Sequence, residues 1–134
     1  MIRFRIRRAE GDMEQLILAV DDEAPARELY LDVFAEAGFK VHAVRDVMDA
    51  VKFLDENFVD LVVTDIRMPG SSGLALVPWI ATHRREIPVI VVSAYSEYEP
   101  LLKGGEGCVK AFFLKPVDLN ELVAKAFEVL GIKR

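Results

Sequence analysis

Five short apolar runs recur along this 134-residue chain, and segments with helical spacing separate them. Leu16 to Val20 is the first run, and Val41 and Val44 mark a second. The third spans residues 60–65, the fourth Val89 to Ser93, and the fifth about Ala111 to Leu114. Unbroken runs of this kind suit strands buried on both faces, as in a parallel sheet. Strands alternating with helices predict a parallel sheet covered by helices on both sides.

The helical segments carry their own signals. Residues 24–37 open with Pro25 in the first turn, recur through Leu29, Val33, Phe34 and Ala37, and stop at Gly38. The second helix, about Val47 to Glu56, turns Val47, Ala50, Val51 and Leu54 inward. A third is expected from about Leu74 to Arg84, where Pro78 predicts a kink or a late start. The last begins at Asp118, with a capping-box-like spacing to Glu121, buries Leu119, Leu122, Val123, Ala126 and Val129, and ends at Gly131. Residues 96–110 are the weak segment. Pro100, Gly104, Gly105 and Gly107 oppose helix there, and Leu101 and Leu102 are its main anchors. That fourth helix is expected to be short or irregular.

Composition closes off several classes. An apolar fraction of 52% excludes a disordered chain. A net charge of −5 argues against direct nucleic-acid binding. The single cysteine, Cys108, excludes an internal disulfide and a cysteine-rich zinc site. No apolar run reaches the roughly 20 residues that span a bilayer, and no secretory signal is present, so a cytoplasmic location without membrane insertion is expected. Residues 1–15 read as an N-terminal extension, a tail or an edge strand, because Ile2, Phe4 and Ile6 alternate with Arg3, Arg5 and Arg7. Residues 16–133 form the main domain. His42 and His83 are too isolated to build a metal site, and Trp79, Tyr95 and Tyr98 read as packing or surface residues.

The polar residues that close the runs carry the chemistry. Asp21 and Asp22 follow the first strand, Asp65 the third, Ser93 ends the fourth, and Lys115 follows the fifth. In a parallel sheet all of these reach one edge, where ligands collect in open α/β folds. Three carboxylates together need a compensating cation, and their oxygens suit Mg²⁺. Acids, a hard cation, a hydroxyl and a lysine describe phosphoryl transfer to a carboxylate, with Asp65 as nucleophile and Ser93 and Lys115 on the phosphoryl oxygens.

The ordered set VDDE at 20–23, TDIRMPGSSG at 64–73, VVSA at 91–94 and FFLKP at 112–116 resembles the receiver domain of two-component response regulators. The resemblance covers about residues 15–133. It implies a flavodoxin-like, doubly wound five-stranded parallel sheet of order 2-1-3-4-5 with five helices. It implies that Asp65 accepts the phosphoryl group, that Asp22 binds Mg²⁺ directly and Asp21 through water, and that the Arg67 backbone carbonyl is a further ligand. Ser93 and Phe112 correspond to the switch residues and Lys115 to the site lysine. The implied donor is a sensor histidine kinase or a histidine phosphotransfer protein. No DNA-binding or enzymatic output segment is read within residues 1–134, and a stand-alone receiver and one excised from a larger protein both stay open; output is expected through an unidentified partner or a phosphorelay, and a homodimer stays open. Such a module is a switch without an external turnover substrate.

Two other classes fit less well. An aspartate-nucleophile phosphatase wants a second acid two residues after the nucleophile, where Arg67 stands. A flavodoxin-like phosphate-binding protein wants a Gly/Ser/Thr loop after the first strand, where Asp21, Asp22 and Glu23 would repel phosphate.

Overall fold

The computed structural model describes residues 14–66, 75–96 and 107–133. Five strands form one parallel sheet: β1 (Leu16–Val20), β2 (Lys40–Val44), β3 (Leu61–Thr64), β4 (Val89–Ser93) and β5 (Val109–Leu114), in spatial order β2-β1-β3-β4-β5. Strands β3 and β4 are buried at every residue, and β1 at all but its first. The edge strands β2 and β5 alternate more, because one side of each meets solvent. The expected strand order holds.

Four helices stand among the described residues, not the five expected: α1 (Ala24–Glu36), α2 (Val47–Glu56), α3 (Leu76–His83) and α4 (Leu119–Leu130). Of the weak stretch 96–110, residues 97–106 lie outside the described residues. A turn at Gly107 and Cys108 then leads into β5. That strand starts two residues earlier than expected. Val109 pairs with Val89 and Ala111 with Ile90, so Lys110 is an extra residue in the ladder. The N-terminal extension, apart from Glu14 and Gln15, also lies outside the described residues.

Adjacent residues of each strand feed two layers. Leu18, Val20, Val62, Val89 and Val91 pack with α2 and α3, while Ile17, Ala19, Leu61, Val63, Ile90 and Val92 pack with α1 and α4. Each helix has a local reason to stand where it does. Pro78 falls in the first turn of α3, where its missing N–H would have no helical partner. Asp46 caps α2 by accepting from the Asp49 N–H, and Asp118 caps α4 by accepting from the N–H groups of Asn120 and Glu121. At the end of α1, Gly38 takes φ 103°, which lets the Gly38 and Phe39 N–H groups reach the carbonyls of Ala35 and Phe34.

One face was expected differently. Leu29, read as part of the inner stripe of α1, is 51% exposed. The buried stripe runs through Tyr30 and Phe34, with Ala26 and Val33 beside them. The two aromatics fill the space over the sheet and rotate Leu29 out to its margin. Among the described residues no helix is long and apolar enough to cross a membrane.

Candidate functional site

The buried polar side chains among the described residues are Asp21, Thr64, Asp65, Ser93 and Arg84. The first four sit at the carboxyl ends of β1, β3 and β4, on one rim of the sheet. Arg84 lies elsewhere and is satisfied by Glu86 and by the Leu54 carbonyl at the end of α2. Burying polar groups is costly unless they are bonded, so their concentration on one rim marks a built site.

Lys115 joins the rim from β5. Its Nζ donates to Asp65 Oδ2 at 2.8 Å and to Asp21 Oδ2 at 3.0 Å. The peptide to Pro116 is cis, and the Lys115 N–H donates to the Ser93 carbonyl at 2.8 Å. Burial would pull the Lys115 ammonium pKa down. The hydrogen bonds to Asp65 and Asp21 outweigh it and hold the pKa above the ordinary lysine value. The lysine is thus a permanent cation between two buried carboxylates.

Asp65 is placed by its backbone. Its N–H donates to the Val20 carbonyl at 2.9 Å, and its carbonyl accepts from the Thr64 hydroxyl at 2.8 Å. Asp21 is held at every polar atom. Its N–H donates to the Val44 carbonyl, its carbonyl accepts from Arg27 Nη1, Oδ1 accepts from the Glu23 N–H, and Oδ2 accepts from Lys115. Asp22 is exposed. One carboxylate oxygen from each of Asp21, Asp22 and Asp65 lies within 4.8 Å of the others. That is a hard, all-oxygen donor set, anionic beyond what Lys115 offsets, and it fits a small divalent cation such as Mg²⁺.

The chain matches the family model for the response regulator receiver domain over residues 17–127. The chain belongs to that family. Similar curated proteins include the phosphate regulon transcriptional regulatory protein PhoB of Klebsiella pneumoniae, 35% identical over 88% of this chain and 52% of the relative. Another is the DNA-binding transcriptional regulator NtrC of Rhizobium meliloti, 32% identical over 80% of this chain and 22% of the relative. The chain therefore spans about half the length, or less, of these relatives. Among solved structures, it is similar to the response regulator TrrA of Thermotoga maritima in complex with Mg²⁺-BeF, with TM-score 0.78 and 30% identity over 86% of this chain and 98% of that one. The non-phosphorylated HemR receiver domain of Leptospira biflexa has TM-score 0.79 and 25% identity over 90% and 98%. Phosphate acceptance in two-component signalling is the general role of receiver domains, and it is the role of this one. The phosphatase and phosphate-binding alternatives lose their footing with the family established.

The receiver fold gathers most of the expected residues. Asp21, Asp22, Asp65 and Lys115 form one cluster. Ser93 stands fully buried on the same rim, with its Oγ accepting from the Tyr95 N–H at 3.1 Å. Phe112 is half-buried against the α2–α3 layer. Arg67 and residues 68–74 lie outside the described residues. Neither histidine joins the cluster: His42 stacks on Phe53 and His83 on Trp79. The rim also holds residues that motif reading passed over, namely Thr64, Tyr30 and Arg27. A visible signal existed for Arg27, a lone arginine one turn into a helix that follows an acidic pair.

Proposed function

We propose that Asp65 is the phosphoacceptor of a receiver unit spanning residues 16–133. Asp21, Asp22 and Asp65, with the Arg67 carbonyl, would hold Mg²⁺. The observation that carries this reading is the Asp21–Lys115–Asp65 bridge beside the exposed Asp22. An Asp65 carboxylate oxygen attacks the phosphorus of a phosphohistidine, the P–N bond breaks, and the imidazole leaves. The product is an aspartyl phosphate. Lys115 holds one Asp65 oxygen in place before transfer and pairs with a phosphoryl oxygen after it. When bound, Mg²⁺ supplies charge neutralisation at the transferring group. The Ser93 hydroxyl, already turned by the Tyr95 amide, contacts another phosphoryl oxygen, and Phe112 follows it as the moving aromatic of the switch. Hydrolysis of the acyl phosphate by water at the same site resets the domain.

The donor is a sensor histidine kinase or a histidine phosphotransfer protein. A groove of about 450 Å³ opens beside Lys115, lined by Ala26, Leu29, Tyr30, Pro116, Val117 and Leu119 among others. Its apolar wall and exposed Leu29 suit a helical partner that presents its histidine to Asp65. Output passes to an unidentified partner.

Intact-mass measurement after incubation with a small acyl-phosphate donor and Mg²⁺ tests the acceptor. One phosphoryl adduct is expected on the unmodified chain and none on Asp65→Asn, whose amide keeps the shape but cannot form the acyl phosphate. Full labelling of the Asn variant would remove Asp65 from the role.

A further inference from the structure

Arg27 acts on the rim from outside the acidic cluster. It stands on the first turns of α1, half-buried, and its Nη1 donates to the Asp21 backbone carbonyl at 2.8 Å. That carbonyl belongs to the peptide joining Asp21 to Asp22. The bond therefore sets the plane of the peptide from which Asp22 leaves the chain.

The two acids differ in what holds them. The Asp21 carboxylate is gripped by the Glu23 amide and by Lys115. The Asp22 side chain has no protein partner among the described residues, yet its oxygen stands within 4.8 Å of those of Asp21 and Asp65. Its position is dictated by its backbone, and that backbone is pinned by Arg27.

We infer that Arg27 is a positioning residue for the divalent-cation site: it orients the Asp21–Asp22 peptide so that the Asp22 carboxylate faces the other two. This inference rests on the reading of Asp21, Asp22 and Asp65 as that site. Outer groups that orient metal ligands typically contribute tenfold or more to metal affinity.

The charge of Arg27 works in the opposite direction. A guanidinium near a cation site repels the cation. Removing Arg27 should thus tighten Mg²⁺ binding if its charge is what matters, and weaken it if its hydrogen bond is what matters. Arg45 supplies the control. It lines the same open cleft as Arg27, between β2 and α2, and brings a positive charge that pairs with Asp46.

Mg²⁺ is titrated calorimetrically into the unmodified chain, Arg27→Ala, Arg27→Lys and Arg45→Ala. Arg27→Ala should bind about tenfold more weakly, and Arg27→Lys, which keeps a donor, should recover most of the loss. Arg45→Ala should bind equally or more tightly. In the metal-free protein, amide exchange at Glu23, whose N–H is held by Asp21 Oδ1, should quicken in Arg27→Ala, while exchange in β3 stays as it was. Should the alanine variant unfold, Arg27→Met keeps the stem, loses the donor and carries the same expectations. Equal or tighter Mg²⁺ binding in the donorless variant, or unchanged exchange at Glu23, overturns the positioning role and leaves the metal site standing. Absence of Mg²⁺ binding by the unmodified chain overturns the metal site itself.

Discussion

Tyr30 shows how far the rim's charges reach. Its side chain is buried in the α1 layer and lines the groove beside Lys115. Burial, with the negative charge of Asp21 second, pushes its phenol pKa up to about 12. An unfolded tyrosine ionises near pH 10. Between those values the native state keeps a proton that the unfolded state has released, so stability falls as pH rises through the window. The loss should be on the order of 2 kcal/mol. Alkaline titration of phenolate absorbance should show a late step near pH 12 that Tyr30→Phe removes, and the variant's denaturation midpoint should decline less over the same range. A late step that persists in Tyr30→Phe would show that another phenol is the buried one. Lys115 obeys the same rule: its raised pKa keeps the bridge to Asp21 and Asp65 intact until pH passes beyond the ordinary lysine range.

At the scale of elements, α4 offers the clearest test of local chemistry. The Asp118 carboxylate accepts from two of the N–H groups that the first turn leaves without helical partners. Asp118→Ala should lower stability by about 1 kcal/mol, read as a shift in the urea midpoint with the slope unchanged. An unmoved midpoint would show that water serves those donors equally well. This cap was legible in the sequence, as were Gly38 and the three inner strands, because each signal is local or repeats along an unbroken run. The acids of the site were legible for a related reason, since each one terminates a strand. What escaped depended on distance through space. Leu29 looked like core because spacing alone does not say which stripe of α1 the aromatics will claim. The start of β5 moved because its ladder absorbs Lys110 as an extra residue. Tyr30 reaches the rim only because α1 crosses the end of β1, and the same crossing turns Arg27, whose place after the acidic pair was visible, onto the Asp21 carbonyl.

For the whole molecule, the groove between α1 and the segment after β5 gives the proposed phosphotransfer a test that distinguishes two kinds of donor. On the proposed reading, a protein donor would cover Leu29 and the apolar wall beside it, whereas a small acyl phosphate would need only the rim. Leu29→Asp should slow phosphotransfer from a phosphorylated histidine-bearing protein by about tenfold, the loss expected of a central apolar contact. Labelling by the small donor should be unchanged. Equal slowing by both routes would assign Leu29 to the rim itself. Strand β5, at the far edge of the sheet, touches both layers through neighbouring residues. Phe112 lies against the α2–α3 layer and Phe113 against the α1–α4 layer, although they are adjacent in the chain. Fluorine labels on these two rings would act as separate channels one residue apart. One would listen to the side of the sheet that carries Phe112, the other to the side that faces the donor groove, so a single spectrum could time the arrival of a signal on each.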